Sequence, residues 1–145
     1  MKIKVVTISQ RDESATTGLF AEYILRLKHY CTIEAIVLKS SSQKEEATVV
    51  LKKTSGDEEL ILLDEGGKDF SSVEFSSWLQ KKLNASRNLC FVIGSAYGFD
   101  ESLKKKSDMM ISLSKMTLPH QLAKVIFAEQ LYRAFTIIRN EKYHH

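Results

Sequence analysis

The sequence predicts an α/β domain in which a mostly parallel sheet carries helices on both faces. Three observations lead there. Short apolar runs alternate with segments of helical spacing along the chain, the order that produces a parallel sheet. The runs Leu60–Leu63 and Leu89–Ile93 are apolar without alternation, as in strands buried on both faces. The 145 residues contain no repeat and no low-complexity stretch, which fits one domain spanning residues 1–145.

The elements follow in order. Ile3–Ile8 is a short apolar strand. Ala15–Tyr30 places Leu19, Phe20, Tyr23, Ile24 and Leu27 at helical spacing. Ile33–Leu38 is strand-like, Ser40–Gln43 is a polar loop, and Lys44–Lys53 is a short polar helix. Leu60–Leu63 is the next strand. Ser71-Ser-Val-Glu74 has the spacing of a capping box, so a helix begins near Ser71 and runs past Trp78 and Leu83. Leu89–Ile93 is a buried strand, followed by a loop, a short helix and a weak strand at Met110–Leu113. Pro119 suits the first turn of a last helix that reaches about Asn140.

In parallel sheets of this kind, ligands bind outside the carboxyl ends of the strands. Three loops fall on that edge: Leu63-Asp-Glu-Gly-Gly67, Gly94-Ser-Ala-Tyr-Gly98 and Leu113-Ser-Lys-Met-Thr-Leu118. The last helix also carries more apolar residues than one stripe needs, among them Leu122, Val125, Ile126, Phe127, Leu131, Tyr132, Phe135, Ile137 and Ile138. The excess points to a second buried face. A homodimer contact supplies one; a helix sunk in its own core is the alternative.

Composition narrows the function without choosing it. With 43% hydrophobic and 27% charged residues the chain reads as globular. A net charge of +3 permits an RNA partner and falls far short of the dense basic character of an autonomous nucleic-acid binder. Cys31 and Cys90 stand far apart in sequence and belong to no metal-ligand or disulfide motif, so two free thiols in a reducing compartment are expected. The N-terminus runs straight into a strand pattern and no stretch approaches transmembrane length. The expectation is a cytoplasmic protein with no membrane and no metal.

The candidate motifs are weak one at a time. Gly94–Gly98 is neither a dinucleotide fingerprint nor a phosphate loop, and a strand-to-helix turn explains its two glycines equally well. Asp64–Lys68 reads as a ligand loop or a solvated turn, the turn being favoured for Glu65. His120, after Pro119, reads as structural. Glu129 and Arg133 are four apart and pair along their helix. Lys104-Lys-Lys106 reads first as a solvated face and second as a phosphate contact. The terminal Tyr143-His-His145 reads as native or as the remnant of a tag. No metal cluster and no Ser–His–Asp or Cys–His arrangement can be argued from spacing.

The block Ser112-Leu-Ser-Lys-Met-Thr-Leu-Pro-His-Gln121, continued by Ala128-Glu-Gln-Leu-Tyr-Arg-Ala-Phe135 and closed by Tyr143-His-His145, resembles the RlmH family. These are bacterial 23S ribosomal RNA pseudouridine N3-methyltransferases of the SPOUT class. Ala21-Glu-Tyr23, Leu63-Asp-Glu-x-Gly67-Lys68 and Phe91-Val-Ile-Gly94 fall in the family's order, so the resemblance spans the chain.

The resemblance implies an α/β knot with a C-terminal trefoil, although knots are rare among folds in general. It implies S-adenosylmethionine (S-adenosyl-L-methionine) as cofactor, held by Leu63, Gly94, Leu113, Ser114, Lys115, Met116, Thr117 and Leu118. It implies a homodimer in which one subunit's cofactor lies near the other's tail, and a pseudouridine in helix 69 of 23S RNA as substrate in the assembled ribosome. Tyr143, His144 and His145 are then candidates for removing the N3 proton or positioning the substrate, and Arg133 and His144 for binding RNA. Two departures stand out. Ser95 replaces the second of a usual glycine pair, and Ser9-Gln10 replaces a usual Gly-Lys. The rival reading is a non-catalytic ribosome- or RNA-binding module that kept the fold; a flavodoxin-like nucleotide binder lacks its phosphate loop.

Overall fold

The computed structural model describes residues 1–8, 14–40, 42–95 and 97–145. Its elements are β1 (Lys2–Ile8), α1 (Ser14–Leu27), β2 (Thr32–Leu38), α2 (Gln43–Lys53), β3 (Glu58–Asp69), α3 (Ser72–Asn84), β4 (Asn88–Ile93), α4 (Glu101–Lys106), β5 (Met109–Ser112) and α5 (His120–Ile138). The strands form one sheet in the order β2-β1-β4-β3-β5. Each neighbouring pair is parallel. The expected α/β class is observed. The Ser9-Gln10 departure lies outside the described residues.

The apolar runs are continuous because each strand supplies two cores. Side chains alternate across a strand. Leu89, Phe91 and Ile93 of β4 face one way with Ile3 and Val5 of β1, and are covered by α1, α3 and α5. Cys90 and Val92 face the other way with Val6 and Ile8, and are covered by Ala47 and Val50 of α2 and Leu103 of α4. Burial pushes both cysteine thiols up to about 11, so neither is a thiolate near neutrality.

Local chemistry sets the helix ends. The capping box of α3 is closed: Glu74 N–H donates to Ser71 Oγ at 3.1 Å and Ser71 N–H to Glu74 Oε2 at 3.0 Å. Pro119 is the N-cap of α5 and not its first helical residue. At the other end Asn140 takes a left-handed φ of 56°, and Glu141 N–H donates to Thr136 O at 2.9 Å. That closure turns the chain back along the helix. The first helix stops at Leu27, three residues before its expected end, where the hydrogen bonds from Lys28, His29 and Tyr30 tighten to three-residue spacing.

One expectation is corrected. The third strand does not stop at Leu63. It continues to Asp69 and carries an irregularity between Leu63 and Lys68, after which pairing with β5 resumes. Asp64–Lys68 is therefore part of a strand and not a free turn. Gly67 is needed there, because a Cβ would lie 2.5 Å from the Met110 carbonyl carbon. The apolar excess of the last helix is used in part within the chain. Phe127 packs against Phe75 of α3 and Phe91 of β4, and Phe135 stacks on Tyr30 after α1. Leu122 stays 49% exposed, and Val125, Ile126 and Ile137 are half-buried.

Candidate functional site

A cavity of about 380 Å³ opens at the carboxyl ends of β3, β4 and β5. Leu63, Gly94, Leu113, Ser114, Met116, Thr117 and Leu118 all line it. These are seven of the eight positions expected to hold a cofactor. The eighth, Lys115, points elsewhere: it is 86% exposed and lies 3.7 Å from Asp69. The three loops placed on one sheet edge by topology thus meet around one volume, of a size typical of small-molecule sites.

The 113–118 segment is held by its own hydroxyls. Ser112 Oγ donates to Ser114 O at 2.9 Å, and Met116 N–H donates to Ser114 Oγ at 3.0 Å. Thr117 Oγ1 donates to Glu65 Oε2 at 2.8 Å, which ties the loop to the irregular part of β3. Glu65 is thus a rim residue with a partner and not merely a solvated turn. Asp64 and Gly98, which fall in two of the expected ligand loops, also line the cavity, as do Ile93, Phe99, Pro119, His120 and Ala123, which sequence reasoning had not assigned to it. Position after a strand end was the available signal for Asp64. For His120 there was none, since its place on the wall depends on how α5 enters the fold.

The wall at Gly94 and Ser95 rests on α2. Ser95 Oγ donates to Glu46 Oε2 at 2.9 Å. Glu46 is only 2% exposed, and burial pushes its carboxyl above the ordinary range while the Ser95 hydrogen bonds pull it partly back. Gly94 is tightly backed, since a Cβ there would lie 2.8 Å from both Glu46 Oε1 and the Phe99 ring.

The C-terminal tail builds a second cluster. Arg133 and Glu129 form an ion pair at 2.6 Å, the arginine 25% and the glutamate 18% exposed at the side chain. Tyr143 Oη donates to Glu129 Oε1 at 3.0 Å and lies 3.5 Å from Tyr23 Oη. The Arg133 guanidinium stands 4.9 Å from the centre of the Tyr143 ring. Burial, with the bonds to Tyr23 and Glu129, holds the Tyr143 phenol well above its usual range. Arg133 Nη1 lies 3.1 Å from His144 Nδ1. Arginine has no acceptor, so Nδ1 accepts and the neutral ring carries its proton on Nε2. His145 is exposed.

Arg133, Tyr143, His144 and His145 do not line the cavity. Arg133 lies thirteen residues beyond His120, roughly 20 Å along the helix axis at the α-helical rise. Within one chain the expected site is therefore in two parts. Among the described residues, no group of three or more His, Cys, Asp or Glu is placed to hold a metal ion. No described helix is long and apolar enough to cross a membrane.

Residues 1–144 match the family described as "Predicted SPOUT methyltransferase". The chain belongs to the SPOUT methyltransferase family. Its similarity to named methyltransferases is chain-wide. It is 46% identical to the ribosomal RNA large subunit methyltransferase H of Flavobacterium johnsoniae, over 100% of this chain and 99% of that protein. It is 41% identical to the protein of the same name from Christiangramia forsetii and 42% to that from Parabacteroides distasonis, with the same coverage. Methyl transfer is thus the chemistry of this SPOUT chain.

Proposed function

We propose that this chain methylates N3 of a pseudouridine in helix 69 of 23S ribosomal RNA in the assembled ribosome. It uses S-adenosylmethionine and acts as a cytoplasmic homodimer with the knotted C-terminal threading of its class. The observation that carries the reading is the combination of chain-wide similarity to large-subunit rRNA methyltransferases with a cavity walled by residues 113–118.

The cavity's chemistry fits the cofactor. Leu63, Ile93, Leu113 and Leu118 offer apolar wall for a purine face. The backbone of 113–118 offers donors and acceptors beside it. Asp64 and Glu65 put negative charge on a rim that would meet a sulfonium and an ammonium group. When bound, the cofactor supplies an electrophilic methyl group. The protein's part is to hold the reactants aligned and exclude water.

The N3 of the base carries a proton near neutrality, so negative charge develops as it leaves. The tail is arranged to meet that charge. Tyr143 remains a neutral phenol that donates to Glu129, and His144 Nδ1 is occupied by Arg133, which leaves an N–H on Nε2. Tyr143, His144 and Arg133 are thus set up as donors and a fixed cation that position substrate and steady the developing anion. The tail offers donors and not a free base, so the N3 proton passes to solvent water. His145, exposed at the end, serves RNA contact.

A homodimer completes the site, because cavity and tail lie apart in one chain. Leu19 of α1 and Leu122 of α5 are 44% and 49% exposed and offer apolar surface for a second copy. The test is methyl transfer from labelled S-adenosylmethionine to ribosomes from a strain lacking this chain, with the modified nucleotide mapped by mass spectrometry. Label confined to one pseudouridine of helix 69 is the expected result. Labelling elsewhere, or none, refutes the substrate assignment.

A further inference from the structure

Glu46 is the residue the chemistry above leaves unexplained. It belongs to α2, a helix with mostly polar residues, and yet its side chain is as deeply buried as the aliphatic core. A carboxyl group taken from water needs compensation by hydrogen bonds or an opposite charge. Oε2 accepts from the Ser95 hydroxyl at 2.9 Å, and the Ser95 backbone also bonds to the carboxyl. Oε1 has no partner among the described residues. The group thus contributes little to fold stability where it lies, and its placement calls for another account.

Its surroundings supply one. Gly94 lines the cavity, and Glu46 Oε1 fills the space where a side chain at 94 would stand. Ser95, which also lines the cavity, is bonded to the same carboxyl. One turn earlier on the same face of α2, Gln43 Nε2 donates to Tyr97 O and, at 3.4 Å, to Gly98 O. So α2 grips the chain beyond β4 at two points, Ser95 and Tyr97–Gly98, each through a side chain of a different residue.

We infer that Glu46 is a positioning residue which, through Ser95, fixes the Gly94–Ser95 wall of the cavity and thereby sets the chain's affinity for its adenosyl cofactor. This rests on the cofactor reading above. Ser95 is then more than a substitute for a flexible glycine, because it makes the wall answer to a group outside the cavity. Burial favours the uncharged carboxyl, so glutamine, with the same shape and an acceptor in the same place, substitutes for it.

The experiment is calorimetric titration of the full chain with S-adenosylmethionine, with thermal unfolding as the control for folding. Glu46→Ala weakens binding about tenfold and Ser95→Ala about fivefold, the size of a lost buried hydrogen bond. The double variant is no weaker than Glu46→Ala alone, because the two act as a unit. Glu46→Gln stays within about twofold of the unchanged chain. In methylation assays Glu46→Ala raises KM for the cofactor and leaves kcat at saturation in place. A folded Glu46→Ala variant with unchanged affinity overturns the inference, as does a Glu46→Gln variant as weak as Glu46→Ala. Should Glu46→Ala not fold, Ser95→Ala decides, and unchanged affinity there overturns it. Failure of the unchanged chain to take up the cofactor overturns the cofactor reading and this inference with it.

Discussion

At one end of α5 the cavity is walled by apolar side chains, by Gly94 without a side chain and by the 113–118 segment folded on its own hydroxyls, while further along the strand that carries Leu63–Glu65 Gly67 is pressed against β5. At the other end the tail cluster is made of long side chains that hold one another, Glu129 with Arg133, Tyr143 with Glu129, Arg133 with His144. The first arrangement offers shape and exposed peptide groups, which suits recognition of a small ligand. The second offers fixed charge and donors, which suits a polyanion and a developing negative charge. One continuous stretch of sequence thus makes two clusters with different chemistry, and in the proposed homodimer one subunit's cavity would meet the other's tail.

The sharpest way to break that division is to delete Tyr143–His145. Methylation of ribosomes should fall by about 100-fold or more, since positioning and charge stabilisation are both lost. Affinity for S-adenosylmethionine should stay within about twofold, because none of the three residues lines the cavity. Parallel loss of both properties in a folded variant would merge the two clusters into one.

Gly67→Ala strikes the backbone side of the comparison. Its Cβ would meet the Met110 and Ile111 backbone at 2.5–2.7 Å, and a main chain paired in a sheet cannot move aside as a side chain can. A loss of about 2–3 kcal/mol is expected from such overpacking, read from denaturant unfolding. Stability equal to that of the unchanged chain would mean that β5 is not held where it is described.

Glu129→Ala frees the tail without shortening it. Tyr143 and Arg133 both lose their acceptor. Methylation should drop about tenfold, with the effect of removing one charged hydrogen-bond partner. Cofactor titration again serves as the control.

The smallest effect is on stability against pH. Burial raises the Glu46 carboxyl above its ordinary range in the folded state. Above the ordinary carboxylate pKa the unfolded chain releases this proton before the folded chain does. The folded state then binds more protons, and stability falls as pH rises from that range through the raised value. Glu46→Gln should flatten this part of the profile, and an unchanged slope would assign it to other groups.

Much of the fold was legible because its signals are local. Ser71 and Glu74 are three residues apart, and Leu89–Ile93 is apolar in one unbroken run. The irregularity in β3 was not, because Gly66-Gly67 has the local look of a turn and only pairing with β5, far along the chain, keeps it extended. Seven of the cavity's sixteen lining residues were placed by resemblance, and topology put its three loops on one edge. Glu46 left a trace that went unread: with Gln43, Ala47 and Val50 it forms one helical stripe, hidden by the polar residues beside it. The tail contacts left none, since no periodicity carries across the left-handed turn at Asn140.

The sheet order has a consequence for how the protein is made. Strand β5 adds to the edge outside β3, and α5 then runs back to pack against both α1 and α3. Residues 113–123 are the last to enter the cavity wall, so no earlier stretch of the chain can enclose it. A growing polypeptide can assemble the first four strands while its ligand site is still an open face. The C-terminal segment must therefore dock before the cavity is closed, and its contacts with β3, α1 and α3 are long-range ones.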